Sequence, residues 1–375
     1  MRKMFSSWIV LSCGFCTLGC TGAGSTAMAP AATATAATAN GTTATPVAVA
    51  PGTAAPAGAN GDGGTAAPST GTQADPQWNS EVSGTTDALA AIWGDGHGAT
   101  WVVGTHSILR SSLGAGGDSS WTIVRSGDSD QYTTVIGADG QILVAGLRCD
   151  SGLCDGGVLL RSADDGATWT RTELTAAAYN FARGADGTLY LAVDGGVLAS
   201  TDDFATSTLL AVSSLPAMHG VFVGNDGALL ALGGVRSFEI RRSSDSGSSW
   251  TTSFSAAGGS QSGYVDAAWS AGDANVYAVA NASDVPRTFG RLLRSSDGGQ
   301  TFAPATLPDL DDANAIWGSS ATDIYVAGSQ LLHASDGNTF APVTLPATVD
   351  WHAIWGSDAR NVYLVGEAGT ILHLH

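Results

Sequence analysis

One short pattern returns seven times between residues 78 and 375, and it restricts the fold more than any local propensity can. The clearest copies are Ala91-Ile92-Trp93-Gly94, Ala315-Ile316-Trp317-Gly318 and Ala353-Ile354-Trp355-Gly356. Weaker copies are Val135-Ile136-Gly137, Ala182-Arg183-Gly184, Phe222-Val223-Gly224 and Ala268-Trp269-Ser270, and the last positions of successive copies lie 38 to 48 residues apart. Each copy passes through a polar turn into a second run of β-branched and aromatic residues, such as Thr100-Trp101-Val102-Val103-Gly104. Short runs of this kind bounded by glycine form sheet strands, and the repeat is long enough for four of them. The acids agree. Only Glu81, Glu173, Glu239 and Glu367 are glutamates, and the rest are aspartates, which favour turns over helices.

A third run in most copies ends in a distinctive turn. Ser162, Asp164, Gly166, Thr168 and Trp169 fit Ser-x-Asp-x-Gly-x-Thr-Trp completely; Ser243, Asp245, Gly247 and Trp250 match with Ser249 for Thr, and Ser295, Asp297, Gly299 and Phe302 match with Phe for Trp. Residues 334–340 are a shortened copy, and 200–206 and 111–121 are decayed. This motif resembles the Asp box, or BNR repeat, of sialidases, sortilin-type receptors, xyloglucanases and photosystem II assembly-factor propellers. The resemblance implies an all-β, seven-bladed β-propeller with four-stranded blades over residues 78–375, and it implies nothing about photosynthesis. Within the motif, Ser and Asp hydrogen-bond the reversing backbone, Gly supplies a positive φ and the aromatic ring packs between sheets, so these residues are read as structural.

The last copy stops at Ile371-Leu372-His373-Leu374-His375 after three strands. Trp78-Asn79-Ser80-Glu81-Val82 looks like the segment that follows a box, so residues 78–83 are expected to supply the outer strand of the seventh blade and close the ring. Ahead of it, residues 1–20 carry Arg2, Lys3, an apolar stretch and Thr17-Leu18-Gly19-Cys20, which reads as an export signal and resembles a bacterial lipobox. Cys20 is the expected lipidation site and the cell envelope the expected location, with simple secretion as the alternative. Residues 21–77 are nearly all Ala, Thr, Gly, Pro and Ser, without an aromatic residue. Such a segment is expected to be a disordered tether with a reach of roughly 40 Å. In an exported chain, Cys149 and Cys154 are expected to form a disulfide rather than a metal site.

If strands run from axis to rim, the turns between first and second strands ring one mouth of the channel and carry Asp95, Asp139, Asp186, Asp226, Asp273 and Asp358, with Asp323 at the seventh. Such a ring could hold a cation, and the same sequences are ordinary Asx turns, the stronger reading. The opposite face receives three loops read as long: 146–157 with Arg148, 233–241 with Arg236, Glu239 and Arg241, and 280–291 with Asp284, Arg287 and Arg291. Arginines there suit carboxylate or phosphate, and Tyr132, Tyr179, His219, Tyr264, Trp351 and His352 in the segments leading into first strands could stack on a ligand. Packing between blades and solvated loop charge are the competing readings.

A formal net charge of −18, with 33 acidic against 15 basic residues, excludes a nucleic-acid partner. The sialidase resemblance would imply three arginines, a Tyr–Glu pair and an early Arg-Ile-Pro motif. That motif is absent, and Arg110, Arg161, Arg242 and Arg294 sit beside boxes at the rim. No His-Glu-x-x-His, Gly-x-Ser-x-Gly or phosphate loop occurs, so no metal, cofactor or catalytic residue is assigned. The expectation is a monomeric, non-enzymatic binding or scaffold protein with a protein or glycan partner, meeting the membrane only through its lipid. A glycoside hydrolase using two aspartates is the alternative.

Overall fold

The computed structural model describes residues 76–375, apart from 96–97, 114–118, 139, 151–152, 213–214, 216, 236, 258–262, 273, 283–291 and 309. Cys20, the proposed signal and most of the tether fall outside these residues, as do Arg236, Arg287, Arg291, Asp139, Asp273 and Asp284.

Seven four-stranded antiparallel sheets follow one another along the chain. Blades one to six take residues 89–126, 131–174, 178–211, 218–257, 263–305 and 313–342, each laid down from inner to outer strand. The seventh is made of Trp351–Asp358, Asn361–Gly366 and Ile371–Leu374, with Trp78–Glu81 as its outermost strand. Trp78 pairs Leu374 and Glu81 pairs Ile371. Pairing stops two residues short of the expected 83, and Val82 is exposed. His373, nearly fully buried, ties this seam: its Nδ1 lies 2.9 Å from Glu81 Oε1 and its Nε2 2.7 Å from Asn361 Oδ1, while Glu81 Oε2 accepts the indole N–H of Trp121 in blade one.

Second strands lie between two sheets and are buried along most of their length, at every position in Leu189–Val193 and Leu229–Gly233, so their sequences run apolar without alternation. Core clusters bridge neighbouring blades. Trp101, Val103 and Ile108 of blade one, for instance, pack with Tyr132, Val144 and Leu160 of blade two. The Trp-Gly pair of the repeat has the same logic. A Cβ on Gly137 would stand 2.1 Å from the Trp93 ring, and one on Gly94 2.3 Å from Trp355; Gly318 and Gly356 meet Trp269 and Trp317 likewise. Each indole covers the glycine of the next blade, and only a missing side chain leaves room for it.

Strand register corrects two of the weaker repeats. Ala182 faces Tyr190 and Phe222 faces Leu230, as Trp317 faces Tyr325, so Ala182 and Phe222 occupy the Trp column. Gly184 and Gly224 fall one position later, where Asp95 stands, and begin the turn with bonds to Thr188 O and Ala228 O.

Candidate functional site

The two ends of the ring differ in chemistry. Turns between first and second strands and between third and fourth strands share one end. There the Ser162 hydroxyl donates to Asp164 Oδ1 (2.9 Å) and accepts from Gly166 N–H (2.8 Å), while Asp164 accepts from the amide and hydroxyl of Thr168 (2.8 and 2.6 Å). Ser243/Asp245/Ser249 and Ser295/Asp297/Thr301 repeat this set. Ser200/Asp202/Thr206 repeats it too, with Phe204 at φ 58° in the glycine place, so a turn read as decayed keeps its hydrogen bonds. Trp169 stands edge-on to Trp101 of the preceding blade, and Trp250 and Phe302 likewise join clusters containing residues of the blade before.

These bonds hold the carboxylates ionised. The Ser249 hydroxyl and then that of Ser243 draw Asp245 down to about 2, the Thr301 hydroxyl does the same for Asp297, and the backbone amides of Thr339 and Asn338 for Asp336. The first-to-second turns are equally self-contained. Asp95 accepts from Gly98 and Ala99 N–H, Asp186 from Thr188, Asp358 from Arg360, and Asp323 faces His333 at 2.6 Å. Arg161 and Arg242 each reach a carbonyl in the next blade's box turn, at Asp203 and Gly298, and Arg294 reaches Asn338. These side chains therefore lace blades together at the rim instead of converging on an axis. Among the described residues, no group of three His, Cys, Asp or Glu is placed to hold a metal.

At the other end, two of the loops read as long are strands. The described residues of 146–157 belong to a hairpin, Gln141–Asp150 against Leu153–Ser162, with Cys149 paired to Cys154 in register and joined to it by a disulfide. Arg148 on that hairpin is clamped by Asp155 (2.7 Å) and Glu173 (3.0 Å), and Arg171 by Asp130 (3.0 Å) and Glu173 (2.9 Å). Glu239 and Arg241 lie in Ser237–Ser243 and pair with each other at 2.7 Å. Trp351 is 1% exposed and Tyr132 equally buried, so both belong to the core and not to a stacking surface.

Of the remaining candidates, Tyr179, His219 and Tyr264 meet, and His352 stands apart in blade seven. A β-bulge early in the inner strand puts a polar side chain between neighbouring blades at Thr133, Tyr179, His219, Asp266, Asn314 and His352. Three of them reach a carbonyl of the next blade: Thr133 to Ala178 (2.9 Å), Asn314 to Trp351 (2.8 Å) and His352 to Leu89 (3.1 Å). In blades three to five this column becomes aromatic and acidic. The His219 ring stacks on Tyr264 at 4.2 Å and lies 5.8 Å from Tyr179, whose hydroxyl donates to Asp194 (2.7 Å). Asp266 Oδ2 accepts the Asn281 amide at 2.8 Å, and Oδ1 stands 3.8 Å from His219 Nδ1.

Burial pushes the His219 ring down to about 4, against a backbone hydrogen bond at Gly234, so the ring is neutral near pH 7 and its contact with Asp266 is not an ion pair. Burial also pushes Asp266 up to about 7; the Asn281 amide opposes this and the charge of Asp312 adds to it. Tyr179 and Tyr264 are raised as well, by burial first and then by their acidic neighbours. Sequence reasoning named the three rings and missed Asp266, Asn281 and Asn314. A polar residue recurring four places before the glycine column, within otherwise apolar strands, is the signal that marks Asp266 and Asn314; Asn281, in a second strand, has no such mark.

No protein-family model and no curated protein matches the chain. Solved structures share its fold. YCF48 bound to D1 peptide superposes with a TM-score of 0.61 at 12% identity, covering 79% of this chain and 96% of that one. Virginiamycin B lyase from Staphylococcus aureus gives 0.62 at 13%, covering 80% and 99%. The GH74 xyloglucanase from Xanthomonas campestris gives 0.58 at 15%, covering 79% of this chain and 53% of that one.

Proposed function

We propose that the chain is a non-enzymatic binding or assembly-scaffold propeller, held outside the cytoplasm by a lipid on Cys20 and the 21–77 tether, which recognises a protein or glycan partner. The binding surface is the end of the ring where first strands begin. The observation that carries this reading is the cluster of Tyr179, His219, Tyr264 and Asp266, where partly open rings and a carboxyl without an ionic partner among the described residues face one mouth. Every other described turn carboxylate named above is engaged within its own turn or by a neighbouring side chain. Propeller mouths built on rigid strands are common recognition sites. Support from likeness is limited to fold: one neighbour is a propeller with a peptide bound, and others are lyases and glycoside hydrolases.

The test is a screen of the full chain on peptide and glycan arrays, repeated with Tyr264→Ala and His219→Gln after circular dichroism has shown both variants folded. Binding lost in both supports the reading. Turnover of chromogenic glycosides that Asp266→Asn abolishes would replace it with glycoside hydrolysis. Metabolic labelling with a fatty-acid analogue, lost in Cys20→Ser, checks the anchor.

A further inference from the structure

We propose that the mouth at blades three to five takes an organic cation, the ammonium or guanidinium of a lysine or arginine side chain on a protein partner, seated against the Asp266 carboxylate beside the Tyr179–His219–Tyr264 rings. The inference rests on the binding reading and narrows its partner to a basic peptide segment. Asp266 occupies the bulge column in which Thr133, Asn314 and His352 bond the next blade's carbonyl. The Asp266 carboxyl makes no such bond among the described residues and faces the Asn281 amide and the His219 ring instead, so this position departs from the structural role of its column.

Among the described residues, nothing that touches Asp266 brings a positive charge to it. Its contacts among the described residues are the Asn281 amide on one oxygen and the His219 ring 3.8 Å from the other. That ring is uncharged near neutral pH, because burial opposes its protonation. A second carboxylate, Asp312, adds repulsion to both Asp266 and Tyr264. The arginines of blade two, Arg148 on the hairpin and Arg171 on the outer strand, are already engaged by Asp155, Glu173 and Asp130. Yet 26% of the Asp266 side chain is open to solvent, so a ligand can reach it. A cation placed there meets a partly desolvated opposite charge and electron-rich ring faces, the two things that recognise ammonium and guanidinium groups. The chain's formal charge of −18 draws such a group inward from a distance.

The test uses the full chain and four labelled probes read by fluorescence anisotropy: a Lys/Arg-rich peptide, the same peptide with its basic residues changed to Glu, a Gly/Ser peptide and a xyloglucan oligosaccharide. The basic peptide is expected to bind, and Asp266→Asn to weaken it by about tenfold or more, since the amide keeps the Asn281 contact and removes only the charge. Asp95→Asn, which removes one charge at the other end of the ring and keeps an oxygen for its turn, is expected to leave affinity within about twofold. Equal weakening by the two variants would reduce the effect to bulk charge and overturn the proposal. Binding of the acidic, neutral or sugar probe instead, lost in Tyr264→Ala, would also overturn it while leaving the binding reading in place. If no probe and no array ligand binds, both fall.

Discussion

Aspartates at the two ends of this ring do opposite things. At the box end, the carboxylates of Asp164, Asp245 and Asp297 each close a turn by accepting from a hydroxyl and an amide four residues on, and their proton affinity is lowered. At the other end, Asp266 is half-buried, meets one amide and a neutral ring, and its proton affinity is raised to about 7. The first kind works because the charge stays wet while its oxygens meet local donors; at the second, burial disfavours the charge and the carboxyl tends to keep its proton. The same side chain thus has oppositely shifted proton affinity at the two ends, and Asp266 differs from the box aspartates by its burial.

The largest effect expected from breaking this contrast is at the box end. Ser243 is 1% exposed, and its hydroxyl is the acceptor for Gly247 N–H and the donor to Asp245. Ser243→Ala strands that buried amide and is expected to cost up to about 3 kcal/mol in urea unfolding. A loss within about 0.5 kcal/mol, ordinary for surface changes, would show that the box does not hold its blade together.

Next comes Asp266→Asn, with the opposite sign. A carboxyl raised from 3.8 to about 7 holds a proton in the folded state that the unfolded chain has released, so its contribution to stability falls as pH rises from about 4 to 7. The asparagine variant is expected to be more stable than the parent by on the order of 2 kcal/mol at pH 8 and equal to it at pH 4, in unfolding curves at both values. Lower stability of the variant at pH 8 would place a cation of the chain itself on Asp266. The box aspartates run the other way. Their depressed values give stability that is complete above pH 4 and lost as pH falls toward 2, so Asp245→Asn is expected to flatten the acid limb of a pH titration without changing the slope between pH 5 and 8.

Much of the architecture was legible in the sequence because a propeller writes the same physical problem seven times. Trp over Gly, an apolar middle strand and a Ser-Asp turn each leave a spaced mark, and the incomplete last copy pointed to residues 78–83, of which Trp78–Glu81 form its missing strand. Other features were hidden where spacing carries no signal. Residues 146–157 looked like a loop because Gly146, Gly152, Gly156 and Gly157 break the strand pattern, while the backbone ladder continues regardless. Trp351 looked like a ligand contact because it starts a strand, and inter-blade packing buries it. Arg148 looked free because its partners, Asp155 and Glu173, come from the hairpin's other strand and from the outer strand beside it. Asp266 was one aspartate among many, and only its setting separates it from the rest.

The smallest effect tests the mouth without changing its stability much. His219 sits 3.8 Å from Asp266, a spacing at which a charged pair would raise the imidazole and lower the carboxyl. Burial drives both the other way, to about 4 for the ring and about 7 for the acid. The unfolded chain protonates its histidine near 6.5, so His219 contributes stability that is present above that value and lost as pH falls toward 4. Asp266 contributes the reverse slope over nearly the same window, and the two largely cancel in the parent protein. Histidine-selective NMR of the full chain is therefore expected to show the His219 ring neutral down to pH 5. In Asp266→Asn the ring is expected to stay neutral, because burial and not the carboxylate sets its state; a His219 midpoint above 6.5 in the parent would establish an ion pair and remove the unmatched charge on which the cation site depends.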